Sequence, residues 1–184
     1  PLAVCRGIDR QLDSRSVIVA DGGDFVGTAS YIVRPRAPLR WLDPGAFGTL
    51  GVGAGFALGA AAAYPGVPVW IVFGDGSAGY SLAEFDTFVR HGIPVVAVVG
   101  NDACWSQIAR EQVKVLKDET AVMLGRTDYH RVVAGFGASG LVILNNDEID
   151  DVLGQASEIA AGGHPVLVNA MIDRSDFREG SLSI

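Results

Sequence analysis

Apolar and polar positions fall along the chain in blocks that suit strands and helices in turn. Short apolar runs rich in β-branched residues occupy 16–20, 39–42, 69–73, 95–99, 140–144 and 164–171, the composition of strands covered on both faces. Between them lie helical patterns at 5–12, at 25–33 (ended by Pro35 and Pro38) and at 81–91 (closed by Gly92-Ile93-Pro94). Others follow at 103–115, from Asp128 as N-cap to about Gly135, and at 147–160. Residues 117–127 have no clear pattern, and 174–184 form a polar tail with solvated arginines. Strands that alternate with helices predict an α/β fold: a doubly wound, mainly parallel sheet with helices on both faces, as one domain over 1–184.

One segment departs from these patterns. In 47–64, Gly51, Gly55 and Gly59 are spaced by four and would share a helical face. Each glycine costs a helix roughly 1 kcal/mol against alanine. Close backbone packing on that face is the expected compensation from Gly55 onward, while 45–51 has the character of a loop that approaches a ligand.

Composition narrows the function. Apolar residues make up 49% and charged residues 19%, which excludes a disordered chain. The net charge of −7 disfavours a nucleic-acid surface. An anionic ligand would then be held by backbone N–H groups or a metal. Cys5 and Cys104 lack C-x-x-C spacing, and His91, His130 and His164 form no metal motif. Two reduced thiols suggest a cytoplasmic protein. No apolar stretch suits a membrane span, and the opening Pro1-Leu2-Ala3-Val4 has no signal-peptide pattern; the chain reads as part of something longer.

The candidate chemistry sits at strand ends. The run 69–73 stops at Gly74-Asp75-Gly76-Ser77, and the run 95–99 stops at Gly100-Asn101-Asp102, so Asp102 follows Asp75 by 27 positions. One helix and one strand intervene, which returns both ends to the same edge of the sheet, where open α/β sheets bind ligands. A carboxylate and a second short oxygen ligand suit a hard cation such as Mg²⁺, whose shell is completed by phosphate and water. Backbone N–H groups after Asp75 and Asp102 would meet phosphate. Together these features predict a Mg²⁺–diphosphate site.

On these residues the chain resembles the diphosphate-binding, C-terminal domain of the acetolactate synthase superfamily of thiamine-diphosphate enzymes. The family signature, Gly-Asp-Gly and later Asn-Asn, is met by Gly74-Asp75-Gly76 and Asn101-Asp102. The segments 43–51, 79–91, 105–112, 127–130 and 174–180 are most similar to the branch that includes 2-hydroxyacyl-CoA lyases. The resemblance implies Asp75 and Asp102 as side-chain metal ligands, with the Cys104 carbonyl as a third and Asn101 as an alternative one residue away. It implies Gly22, Gly23, Asp24, Phe25, Gly74, Gly76 and Ser77 around the diphosphate. Gly48, Thr49 and Leu50 would lie against the pyrimidine, with Leu50 the wedge that bends the cofactor. Trp105 and Tyr80 are candidates for the substrate side. The family's second asparagine is Asp102 here. A carboxylate about 5 Å from a phosphate oxygen is unfavourable by roughly 3 kcal/mol at an effective dielectric near 20, and Asp24 adds to the same charge.

The activating glutamate of this family comes from a pyrimidine-binding domain, and no segment here resembles one. The resemblance therefore implies a partner domain or subunit, a homo- or hetero-oligomer, and a small 2-oxo or 2-hydroxyacyl substrate, with CoA as a candidate carrier. It favours a 2-hydroxyacyl-CoA lyase over an acetolactate synthase-type carboligase or a 2-oxoacid decarboxylase. Two other readings stand beside it. One is a non-catalytic, cofactor-holding relative. The other is a Rossmann NAD(P) module, with Gly53, Gly55 and Gly59 as the glycines and Asp75 at ribose-binding spacing.

Overall fold

Six apolar runs become six strands of one parallel sheet. These are β1 (Val17–Asp21), β2 (Trp41–Leu42), β3 (Val69–Gly74), β4 (Val96–Asn101), β5 (Ser139–Ile143) and β6 (Val166–Met171), in the order β2-β1-β3-β4-β6-β5. The computed structural model describes residues 1–181, so positions 182–184 of the expected polar tail lie outside the described residues.

The two-residue period of the strands sorts their side chains between two apolar layers. Ile18, Trp70, Val72, Val96, Val98, Val166 and Val168 face one side. Val17, Val19, Val69, Ile71, Phe73, Ala97, Val99 and Leu167 face the other. The first layer is covered by α1 (Leu2–Gln11), α2 (Asp24–Ile32) and α8 (Ile149–Ala161). The second is covered by α3 (Gly53–Ala63), α5 (Glu84–Arg90) and α7 (Tyr129–Gly135). This is the doubly wound α/β sheet expected. Two elements stand at the carboxyl edge: α4 (Asp75–Ala78) and α6 (Ser106–Leu116), of which only Ala109 is buried.

Adjacent strands β1 and β3 are the functional hinge of this topology. The chain leaves β1 into α2, on the first face, and leaves β3 toward α4 and α5, on the second. Their carboxyl ends therefore part, and a crevice opens between them, the topological switch point of an open α/β sheet.

Several local expectations are corrected. Gly55 and Gly59 make no close packing. Both are exposed, and a Cβ on either would meet nothing within 4 Å. Helix α3 instead packs through Gly53, Ala54, Ala57 and Ala60, because alanine already allows the close approach. Gly51 lies outside the helix, with φ +86°. The helix expected over 81–91 is divided: α4 begins at Asp75, and three-residue hydrogen bonds such as Glu84 N–H to Ser81 O (3.1 Å) carry the chain on to α5. Asp128 precedes α7 but makes no side-chain cap; its carboxylate meets Arg131 Nε at 3.4 Å. The strand at 39–42 shrinks to Trp41–Leu42, with Leu39 exposed at φ +60°. Among the described residues, no helix is long and apolar enough to cross a membrane.

Candidate functional site

At the switch point lies a cavity of about 550 Å³. Its lining includes Gly22, Gly23, Asp24 and Phe25 from the end of β1, and Gly74, Asp75, Gly76 and Ser77 from the end of β3. Gly48 and Leu50 enter from the loop before α3, and Asp102, Cys104 and Trp105 from the end of β4. These sequence-predicted residues are thus brought together. Two are not. Thr49 is exposed and outside the lining. Asn101 is fully buried and outside the lining; its Nδ2 donates to Thr127 O at 3.0 Å and Asn169 Oδ1 at 3.2 Å, while its Oδ1 has no hydrogen-bond partner among the described residues.

The close approaches explain two of the glycines. Gly22 has φ +57°, and a Cβ there would sit 1.9 Å from Leu50 Cδ2, so the end of β1 accommodates the Leu50 side chain. A Cβ on Gly76 would fall 2.4 Å from the Trp105 ring, which lies over the start of α4.

Asp75 and Asp102 form the charged centre. Asp75 Oδ1 accepts from Gly76 N at 2.8 Å. The Cys104 N–H is shared between Asp75 Oδ2 at 3.3 Å and Asp102 Oδ1 at 3.2 Å. This N–H is aimed by Ala103, a non-glycine residue held at φ +58°, a strained conformation of the kind that accumulates at functional sites. Asp102 Oδ2 accepts from Ser106 Oγ at 2.5 Å, and the Asp75 carbonyl accepts from Tyr129 Oη at 2.9 Å. Burial, and then the charge of Asp102, push the Asp75 carboxyl up to about 6. Burial likewise raises Asp102, against the Ser106 hydroxyl.

One buried carboxylate and one half-buried one that each disfavour ionisation are an electrostatic deficit that a divalent cation would relieve. Among the described residues, no group of three His, Cys, Asp or Glu could hold a metal. A cation on this pair must complete its shell with other oxygens, which is the preference of Mg²⁺ rather than Zn²⁺. The donor set therefore fits Mg²⁺ with a phosphate-bearing ligand.

The raised Asp75 carboxyl has a consequence for stability. In the unfolded chain it titrates near 3.8, and in the folded one near 6. Between these values the folded state holds a proton that the unfolded state has released, so this group's contribution falls as pH rises through that window. The loss is at most about 3 kcal/mol and is complete above the folded value. Metal-free Asp75→Asn is expected to gain on the natural chain from pH 4 to pH 7 in urea unfolding. A stability difference that does not change with pH would contradict the mutual strain of the pair.

The sequence reading missed the groups that balance Asp24. Arg110 Nη2, on α6, meets Asp24 Oδ1 at 2.5 Å. Arg178 Nη1, from the tail, meets the same oxygen at 3.5 Å, and its side chain is only 11% exposed. The expected solvated arginine at 178 is thus corrected: a short 3-10 turn, Asp176–Arg178, lays it over Gly27, where a Cβ would collide with its guanidinium at 1.8 Å. Arg174 stays exposed. With two guanidinium groups beside it, Asp24 adds far less repulsion toward an anion than its bare charge suggests. Arg110 sits four positions after Ser106 on an amphipathic helix, the one signal that could have placed it at the site.

The dinucleotide alternative fails on this geometry. Its glycines Gly55 and Gly59 face solvent on α3, away from the cavity, and α3 does not directly follow a strand.

Comparison with known proteins bears on the family and the cofactor. Residues 21–170 match the family model of the thiamine pyrophosphate enzyme, C-terminal TPP binding domain. The whole chain is 56% identical to 2-hydroxyacyl-CoA lyase 2 of Homo sapiens over 186 residues, and 57% identical to that of Danio rerio. Over 177 residues, 95% of the chain, it is 35% identical to the acetolactate synthase large subunit IlvG of Mycobacterium tuberculosis. The chain spans 29%, 30% and 32% of the length of these three relatives, respectively.

Proposed function

Because the chain belongs to the thiamine pyrophosphate enzyme family, through its C-terminal TPP-binding domain, we propose that it is the diphosphate- and Mg²⁺-holding part of a 2-hydroxyacyl-CoA lyase. The observation that carries this reading is the Asp75–Asp102 pair at the switch point, joined by one shared N–H in a chain 56% identical to 2-hydroxyacyl-CoA lyase 2. Bound thiamine diphosphate supplies a thiazolium that serves as electron sink for cleavage of a carbon–carbon bond.

The chain's own residues bind and orient. Asp75, Asp102 and the Cys104 carbonyl hold the metal. Asn101, fully buried and outside the cavity lining, is the weaker candidate. Gly22, Gly23, Gly74 and Gly76 line the cavity at the strand ends where the diphosphate would sit. Gly48 and Leu50 meet the cofactor's other end, and Trp105, over Gly76 with Tyr80 at 6.3 Å, shields the substrate side from water. A pyrimidine-binding domain or subunit supplies the activating glutamate, so the working unit is a homo- or hetero-oligomer acting on a small 2-hydroxyacyl-CoA.

Calorimetric titration of the chain, assembled with its pyrimidine-binding part, is expected to give thiamine diphosphate binding only with Mg²⁺, together with cleavage of a 2-hydroxyacyl-CoA. Absence of metal-dependent binding in that assembly overturns the enzyme reading. Binding with condensation of 2-oxoacids in place of cleavage favours the carboligase, the activity named in the 35%-identical relative.

A further inference from the structure

We infer that Asp21, outside the cofactor shell described above, is the positioning residue that holds Leu50 in place. The inference rests on the proposed role of Leu50 at the cofactor. Asp21 is the last residue of β1 and is fully buried. Its Oδ1 accepts from Gly51 N at 2.9 Å and its Oδ2 from Gly53 N at 2.8 Å. Both donors lie within three positions after Leu50, at the point where the loop becomes α3.

That loop has little else to hold it. None of residues 43–52 is buried. Its Asp43 side chain bonds locally, to Trp41 Nε1 at 2.7 Å and Gly45 N at 2.7 Å. The bonds that reach from it to β1 end on Asp21. The fit is tight: a Cβ on Gly53 would fall 2.9 Å from Asp21 Oδ2, so the carboxylate lies directly against the helix start. The next residue, Gly22, receives the Leu50 side chain. The end of β1 thus sets the Leu50 backbone through residue 21 and its side chain through residue 22. The same strand end is tied to the metal side, because Ser77 Oγ donates to the Asp21 carbonyl.

A carboxylate suits this clamp because both of its oxygens accept. An asparagine of the same shape offers one acceptor and one NH₂, so one of the two glycine N–H groups would face a donor. The buried site then loses a bond and keeps an unpaired group.

The test compares Asp21→Asn, Leu50→Ala and the double variant in the chain assembled with its pyrimidine-binding part. Asp21→Asn is expected to lower turnover about tenfold through misplacement of Leu50, with cofactor affinity within about threefold. Without cofactor, hydrogen exchange at the Gly51 and Gly53 amides is expected to quicken about tenfold or more. On a Leu50→Ala background, Asp21→Asn should cost less than about twofold, because the two act as one unit. Full multiplication of the two losses overturns the inference, as does unchanged amide protection or a turnover loss that only follows cofactor affinity. Should Asp21→Asn not fold, Asp21→Ser carries the same readouts with one small acceptor. Normal turnover in Leu50→Ala alone would instead overturn the wedge role, and the exchange rates would still decide whether the clamp exists.

Discussion

Asp75→Ala is expected to abolish Mg²⁺-dependent binding of thiamine diphosphate, a loss of at least about 100-fold in affinity, larger than the 10- to 100-fold usual for residues that merely support a ligand. The side chain has two roles that alanine removes together. It is one of the two carboxylates that face each other, and it accepts the Gly76 and Cys104 N–H groups that shape the loop around the site. Asp102 alone leaves a cation one carboxylate short, in a place where no third acidic or imidazole ligand stands among the described residues. The fold itself should persist. Asp75 lies at the edge of the sheet, and without metal its charge opposes that of Asp102, so its removal relieves repulsion as well as breaking two bonds. Calorimetric titration with and without Mg²⁺, beside a thermal melt of the metal-free protein, separates binding from folding. Affinity within about threefold of the natural chain, set against the expected 100-fold, would remove Asp75 from the metal site.

Leu50→Ala has a different expected signature: cofactor affinity within about threefold, but turnover lower by about 100-fold, the scale reached when reacting groups are misplaced by about 1 Å. Leu50 is half-buried and lines the cavity through a side chain packed on Gly22. In the proposed assignment affinity rests mainly on the diphosphate end, at Asp75, Asp102 and the backbone of Gly74 and Gly76, which this substitution leaves in place. What changes is the shape of the surface at the cofactor's other end. The stability cost should stay near or below the 2 kcal/mol that begins the range for fully buried leucines, because roughly part of this side chain is already in water. Steady-state kinetics at saturating cofactor, with the dissociation constant measured separately, distinguishes the two quantities. Unchanged turnover would count against the wedge.

Both predictions draw on features legible in the sequence to different degrees. The Gly74-Asp75-Gly76 turn and the Asp102 spacing were visible because strand, turn and helix are written in local composition. The parallel order returned their ends to one edge, as expected. The Gly55 and Gly59 pattern misled, because helical spacing says which residues share a face but not whether that face meets anything. Asn101 shows a different limit: local sequence places it at a strand end, but does not show that it is fully buried and outside the cavity lining, with its Nδ2 donating to Thr127 and Asn169.

What the sequence determined by itself is the parallel α/β sheet, the pairing of two strand ends into an oxygen-rich site, and the resemblance that names the cofactor. The first two follow from patterns within a few residues and from spacings across one βαβ unit, whereas the third is a resemblance carried by segments spread from 43 to 180. Only the tertiary structure decided how charge is balanced and how the site is braced. Arg110 lies 86 positions from the Asp24 it meets, Gly53 lies 32 from Asp21, and Tyr129 lies 54 from the Asp75 carbonyl it holds. A buried ion or hydrogen bond is strong only when both groups are desolvated together. That condition depends on which elements fold against each other, and no local pattern records it.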